Sequence, residues 1–399
     1  MKRLFQTSAP AGRWPAFGGL ALAALCLAPL LSSACGEDAR SADPAGAGGS
    51  GDPDGGMAGS ADSGLAGNAG RGGDATEVRI TGSVRVLSDN ARQLLGPTAA
   101  ALRGQNVWIA NGQLRGLFGG AAPRLPFSAV SVPLAGGTVA ATDVRLTGNT
   151  FYPEGIAAAA DGTLYIGSIG QSTIVRVPVN STTPQEFLAG GVAETAVIGI
   201  AVDDERDLVW FCDSDPTDLP RTGAVVGVGI EDGEEVVRHV LAADGEASLS
   251  CNDLLVDPAG NLWITESSAG LLYRIDAASA LMSDSAQLWM NGGLAAAPEG
   301  GFGANGLALA GDVLIVSNTG TGALFAVETV STNPVSDARP IALFEGNTGS
   351  VQLCGPDGLI AVPGADDEIV VVESGDCAAG RPRVVRIALR LRVRRPAGG

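Results

Sequence analysis

The chain has 399 residues, with 43 Asp or Glu against 25 Lys or Arg and a single His, for a formal net charge of −18. So negative a charge argues against nucleic acid and an anionic membrane face as partners, because the long-range field repels both. The one histidine, His239, lies in VVRHVLA, an expected outer strand, which argues against a Ser-His-Asp triad or any His-based acid–base pair.

At the start of the chain Lys2, Arg3 and Arg13 surround and precede an apolar run from Phe17 to Leu31, followed by the small residues Ser32, Ser33 and Ala34. That order reads as an export signal over residues 1–34, too short and wrongly flanked for a stable membrane span. The stretch Leu31-Ser32-Ser33-Ala34-Cys35-Gly36 resembles a bacterial lipoprotein signal, with Leu one place further upstream than usual. The resemblance implies that Cys35 becomes the lipidated first residue of the mature chain; ordinary cleavage after Ala34 would leave it unmodified. The protein is then expected in the cell envelope, facing periplasm or cell surface and held to the membrane by lipid alone.

Residues 35–76 are Gly, Ala, Ser and Asp with almost no large apolar side chain, so they cannot bury a core and should act as a flexible spacer. The fold must lie in residues 77–399. Once Cys26 and Cys35 are set aside, an exported chain keeps Cys212, Cys251, Cys354 and Cys377 for disulfides.

The segment EVRITGSVRVL, residues 77–87, has no partner beside it in sequence and is expected to close a ring by joining the last repeat. From Gly96 onward one pattern recurs: GPTAAALRGQNVWIAN, YPEGIAAAADGTLYIGS, VIGIAVDDERDLVWFCDS, CNDLLVDPAGNLWITES, GANGLALAGDVLIVSN and GPDGLIAVPGADDEIVVVES. Each copy reads as a short apolar strand, a Gly/Asp turn and a β-rich strand running back, with a third strand such as TIVRVPV or LLYRID after it. A period of about fifty residues repeated in this way predicts an all-β, six-bladed β-propeller. Trp108, Tyr165, Trp210 and Trp263 recur at the middle of the second strand and are expected to pack between blades.

Aligning the copies places Gly96, Glu154, Ile198, Asn252, Asn305 and Asp357 in one column, at one mouth of the central channel. Glu154, Asn252, Asn305 and Asp357 offer hard oxygen donors, which suits Ca²⁺, with Mn²⁺, Mg²⁺ and Zn²⁺ left open. Taken singly, each could instead cap a turn at a strand start. The second strands return to the same mouth and end at Asn111, Ser168, Asp213, Glu266, Asn318 and Glu373. With Asp253, these are candidates for substrate contact or for support around the ion.

These motifs resemble the senescence marker protein, gluconolactonase and luciferin-regenerating enzyme family of six-bladed propellers. The similarity rests on Glu154-Gly155, on Asn252-Asp253 followed by Val256 to Gly260, on Asn305-Gly306 and on Pro356 to Gly358. It implies a divalent ion held by Glu154, Asn252, Asn305 and Asp357. It also implies hydrolysis of a lactone or related ester of a small-molecule substrate, with Asp357 as the catalytic carboxylate. The alternative is a non-enzymatic, monomeric surface propeller that binds a protein, glycan or small molecule and keeps at most a structural ion. Cys212 ends the second strand of the third repeat and Cys251 begins the fourth, while Cys354 and Cys377 flank matching segments of the sixth, so the expected pairs are Cys212–Cys251 and Cys354–Cys377.

Overall fold

The computed structural model describes residues 78–393, apart from 119, 138–142, 189–191, 215–222, 243–249, 284–285, 347–348 and 376–379. The expected signal, Cys35, the spacer and Cys377 lie outside the described residues. Strand β1 (Val78–Ser88) comes first. Next are β2 (Pro97–Arg103), β3 (Asn106–Asn111), β4 (Phe127–Pro133) and β5 (Val144–Leu146), which form one sheet in that order. The same meander recurs in β6 (Pro153–Ala158), β7 (Leu164–Ser168), β8 (Thr173–Val177) and β9 (Gln185–Glu186). A third copy is β10 (Val197–Asp203), β11 (Leu208–Asp213), β12 (Ala224–Gly229) and β13 (Glu235–Val240), and a fourth is β14 (Cys251–Val256), β15 (Leu262–Glu266), β16 (Leu271–Ile275) and β17 (Gln287–Asn291).

The remaining strands are β18 (Ala304–Ala310), β19 (Val313–Asn318), β20 (Ala323–Glu328), β21 (Arg339–Glu345), β22 (Ser350–Val351), β23 (Pro356–Ala361), β24 (Glu368–Glu373) and β25 (Arg383–Val393). With β1 they make one nine-stranded sheet, ordered β18-β19-β20-β21-β1-β25-β24-β23, with β22 on β21. The expected closure by the N-terminal segment is present: β1 pairs antiparallel with β25, as at Ser83 opposite Ala388. It also pairs parallel with β21, as at Ile80 opposite Ile341, which the sequence pattern did not anticipate. Both edges of β1 are thereby covered. Among the described residues, then, four four-stranded sheets and one nine-stranded sheet make an all-β, propeller-like arrangement. The first strands β2, β6, β10 and β14 of the four-stranded sheets, then β18 and β23 at the two ends of the nine-stranded sheet, each lie beside the next, and β23 returns to β2.

Apolar side chains gather between successive sheets. Val107 and Ile109 of β3 pack with Val370 and Val372 of β24, and Tyr165 of β7 packs with Phe211 of β11. The recurring aromatic residues take part as expected: Trp210 and Trp263 are fully buried, and Trp263 meets Trp289 edge to face at 4.8 Å. His239 is buried on β13, its Nε2 paired with the Ala280 carbonyl oxygen at 2.9 Å and its ring 6.0 Å from that of Trp210. It serves this packing.

The β14–β15 turn is held by one carboxylate. Asp257 accepts hydrogen bonds from the backbone N–H groups of Ala259 and Asn261, from Asn261 Nδ2 and from Trp263 Nε1, each at 2.9 Å. Burial raises its pKa, but these bonds outweigh burial and hold the carboxyl below its ordinary value.

Glycine sets the approach of the first strands. A Cβ on Gly155 would lie 2.1 Å from the Ile198 carbonyl oxygen, and one on Gly306 would lie 2.1 Å from that of Asp357. Gly199 and Gly358 occupy the matching positions of β10 and β23, where a Cβ would lie 2.4 Å from the Asn252 carbonyl oxygen and 2.7 Å from Ala99 Cα.

Candidate functional site

In all six first strands the register with the second strand slips near the start, between Pro97/Ala99, Pro153/Ile156, Val197/Ile200, Cys251/Leu254, Ala304/Leu307 and Pro356/Leu359. Such a bulge leaves a residue unpaired and re-aims its side chain. The residue that follows the first paired position is Thr98, Glu154, Ile198, Asn252, Asn305 or Asp357. The first member of the column is therefore Thr98 and not Gly96. The bulge of β2 is one residue shorter than the others, while Gly96 sits before the strand at φ +57° with its carbonyl accepting from Gln113 N–H at 3.2 Å.

The polar residues that end the second strands are spoken for. Asn111 accepts Leu95 N–H and donates Nδ2–H to the Gln93 carbonyl, both at 2.9 Å. Ser168 donates to the Phe151 carbonyl. Asp213 accepts from Glu194 N–H at 2.9 Å and Thr195 N–H at 3.0 Å, with Arg238 at 2.8 Å. Glu266 takes the N–H groups of Ser250, Ser268 and Ala269 at 2.7 to 2.9 Å. Asn318 donates to the Leu294 and Ala296 carbonyls at 3.0 and 2.9 Å, and Glu373 accepts from Cys354 N–H at 2.7 Å and Arg383 Nε at 2.6 Å. Each side chain thus grips the loop that leads into the first strand of its own repeat. Their common polarity has a structural cause, and it fixes where each first strand begins.

The column behaves in the opposite way. Glu154, Asn305 and Asp357 are only 5, 6 and 8 % exposed and Asn252 is half-buried. Yet the side chains of Glu154, Asn252 and Asn305 make no hydrogen bond among the described residues. Turn caps would be bonded to backbone, so these three are not caps; none of their polar atoms is among the fully buried unpaired ones, so they stay open at the mouth. Burial, then the charges of Asp357 and of Asp253, push the Glu154 carboxyl well above the ordinary carboxylate range. Asp253 accepts Leu307 N–H at 3.1 Å and Leu254 N–H at 2.9 Å, and burial still pushes it to about 7. Among the described residues no group of three or more His, Cys, Asp or Glu is placed to hold a metal by itself. A cation here would have to draw on the two Asn amides as well.

A second pattern fixes the column from the neighbouring sheet. The next-to-last residue of the second strand is Cys212 in β11, Thr265 in β15 and Ser317 in β19. Cys212 forms a disulfide with Cys251, beside Asn252, with a Cα–Cα distance of 5.4 Å. Thr265 Oγ1 donates to the Asn305 carbonyl at 2.5 Å and Ser317 Oγ to the Asp357 carbonyl at 3.0 Å. For Glu154 the donor is Thr98 Oγ1, at 3.0 Å from its carbonyl. Where the next first strand carries Ile198 or Thr98, the matching position holds Gly167 or Val372 and no such tie. The expected Cys212–Cys251 bridge is present; Cys354 is also disulfide-bonded, while Cys377 is outside the described residues.

The chain matches no protein-family model and no curated protein sequence. Solved structures do match it in shape. A streptogramin B lyase aligns with a TM-score of 0.50 at 12% identity, over 77% of this chain and 98% of that one. The fold is a β-propeller. Two further matches are a virginiamycin B lyase from Staphylococcus aureus, at TM-score 0.49 and 13% identity over 78% of this chain and 99% of that one, and a nidogen/laminin complex, at 0.45 and 15% over 65% and 95%.

The propeller channel beneath the column is apolar. It forms a cavity of about 360 Å³ whose wall includes Ala100, Ile156, Ala201, Leu255, Leu309 and Ile360. Asp253 is the one charged residue of that wall. It stands in the place that Gly155, Gly199, Gly306 and Gly358 take in other repeats, so the sequence offered a signal for it: a carboxylate where four other copies have glycine.

Proposed function

We propose that the chain is a six-bladed propeller that binds a divalent ion, Ca²⁺ first, at its channel mouth and hydrolyses a lactone or related ester. The nine-stranded sheet then counts as two blades, β18 to β21 and β23 to β25 with β1, joined where β1 meets β21. The observation that carries the reading is the contrast at the mouth. Six second-strand ends are engaged by backbone groups and, at Asp213 and Glu373, by an arginine as well, whereas Glu154, Asn252 and Asn305, in the same strand-start column as Asp357, make no side-chain hydrogen bond among the described residues. Hard oxygens gathered without protein partners fit an oxygen-liganded cation.

Glu154, Asn252, Asn305 and Asp357 would hold the ion, which when bound supplies Lewis-acid polarisation of an ester carbonyl. The Asp357 carboxylate takes the proton of the attacking water and returns it to the leaving alkoxide. Thr98, Thr265, Ser317 and the Cys212–Cys251 bridge keep the four strand starts from spreading. The streptogramin B lyase of the same fold supports an enzymatic propeller in general terms, and its reaction does not transfer at 12% identity. In this reading Cys35 carries the lipid anchor and the propeller is presented as a monomer from the envelope.

The test is calorimetric titration of the purified protein with Ca²⁺, Mn²⁺ and Mg²⁺, paired with turnover of aldonolactones and aryl esters. Binding of an ion, turnover that requires it and loss of turnover in Asp357→Ala are expected. A bound ion with no turnover of either substrate class leaves the ion-keeping binder, and the absence of any bound ion overturns the site.

The hydroxyl ties make a separate prediction. Thr265→Val and Ser317→Ala should each cost about 1 kcal/mol of stability, as one hydrogen bond does, and should weaken ion binding severalfold, with Thr265→Ser close to wild type. Unfolding midpoints with and without Ca²⁺ check this. An equal loss in both conditions would mean that the hydroxyls serve the fold alone.

A further inference from the structure

A second cavity, of about 230 Å³, shares no wall residue with the channel. Arg92, Arg124 and Arg145 line it, together with Gln93, Ser128 and Asp143. In a chain with net charge −18, three guanidinium groups around one small cleft run against the prevailing sign. The nearest neutralising group is Asp143, 3.8 Å from Arg145 Nε.

The three arginines are exposed, Arg145 to 74 %, and they stand on a frame that is partly buried. Asn111, fully buried, donates to the Gln93 carbonyl and to Ser128 Oγ at 3.2 Å and accepts Leu95 N–H, which fixes two of its walls. The segment carrying Arg124 is clamped twice by Gln113, whose Oε1 accepts Arg124 N–H at 2.7 Å and whose Nε2 donates to the Arg124 carbonyl at 3.0 Å. One Arg124 amine, Nη1, reaches the Arg92 carbonyl at 3.2 Å. A guanidinium has five N–H donors in a planar fork, so this leaves most of that fork for a ligand. Asn111 was expected near a substrate at the channel mouth; its hydrogen bonds instead shape this cleft.

We propose that this cleft binds a small molecule through an oxyanion, a carboxylate, sulfate or phosphate group, held by Arg92, Arg124 and Arg145. Planar guanidinium donors pair two oxygens of such a group at once, and an anion relieves the repulsion among three cations. The cavity admits a small group, and the net charge of −18 on the chain disfavours polyanions such as nucleic acid. The proposal does not depend on the ion site at the mouth.

Calorimetric titration of the full chain with inorganic phosphate, sulfate and citrate, in chelator and at low ionic strength, tests it. One-to-one binding of at least one of the three is expected, and which of them binds separates phosphate, sulfate and carboxylate ligands. Arg92→Gln and Arg124→Gln should each raise the dissociation constant by about tenfold or more, the effect of losing a charge-assisted pair. Their unfolding midpoints without anion should match wild type, and Glu154→Gln should bind the anion as wild type does. No binding of any of the three, or equal binding in an Arg92→Gln/Arg124→Gln/Arg145→Gln variant, overturns the proposal.

Discussion

With divalent ions removed, the unfolding midpoint should fall as pH rises from about 4 to above 7, and Glu154→Gln should remove much of that fall. Asp253 is raised from 3.8 to about 7 by burial, and Glu154 is raised further by burial together with Asp357 and Asp253. A carboxyl whose folded pKa is raised binds more protons in the folded state than in the unfolded chain. Its contribution is therefore full below the unfolded value and is lost as pH climbs through the folded value. Glu154→Gln keeps shape and removes one of the crowded charges, so the ion-free variant should be more stable than wild type at pH 7 and above. The same change should weaken Ca²⁺ binding by at least about tenfold, since even residues that merely support a ligand cost that much. Ca²⁺ at a hundred times its dissociation constant should restore wild type by about 2.7 kcal/mol and flatten its pH profile. Thermal unfolding across pH, in chelator and in Ca²⁺, reads all of this. A pH slope identical in the two proteins would remove the crowded carboxylates from the account.

Gly306→Ala and Gly155→Ala should be among the most damaging single-methyl changes in the described residues. The new Cβ would stand 2.1 Å from a backbone carbonyl oxygen, that of Asp357 or Ile198, and backbone cannot swing aside as a side-chain tip can. The neighbouring first strand has to retreat, which opens the ring where its sheets are tightest. A cost near 3 kcal/mol is expected for each, the upper end of overpacking. For Gly306→Ala, ion binding should weaken as well, because the strand that moves carries Asp357. Gly311 is the control: it has φ +59° with nothing within 4 Å of its Cβ position, so Gly311→Ala meets only the left-handed backbone penalty of about 1–2 kcal/mol. Chemical denaturation of the three variants ranks them. Equal costs would mean that the sheets are not in contact at the mouth.

The repeated hairpins, their common period and the closure by the first strand were all legible in sequence, because alternation, turn residues and aromatic positions are local and recur. The error at Gly96 came from the same source. A repeat with a shorter bulge shifts an alignment that assumes equal spacing, and Thr98 is distinguished only by its pairing. The second-strand ends were recognisable as a polar set, but whether Glu266 faces a ligand or the backbone of Ser250 depends on the path of the preceding loop. The column was found as residues and lacked its physical signature, since the missing hydrogen bonds of Glu154, Asn252 and Asn305 appear only in three dimensions. Cys212, Thr265 and Ser317 went unread, because the same place holds Ala110, Gly167 and Val372 in the other repeats and so shows no common polarity. Arg92, Arg124 and Arg145 share no motif, and only the fold of one blade brings them to a single cleft.

The placement of β1 also bears on how the molecule folds. Its antiparallel partner is made roughly 300 residues after it, with Val86 opposite Val385, so β1 waits for most of the described chain. Contacts this distant in sequence form slowly, because the loop they close is long. Until then β1 is an open edge, the kind of segment that pairs with the wrong chain, and Arg79 and Arg85 on it act as charged gatekeepers. Gly82 then lets the strand seat, since a Cβ there would press within 2.7 Å of Ile387 and 2.8 Å of Leu343. A chain stopped short of β25 leaves β1 without its antiparallel partner and the ring unsealed.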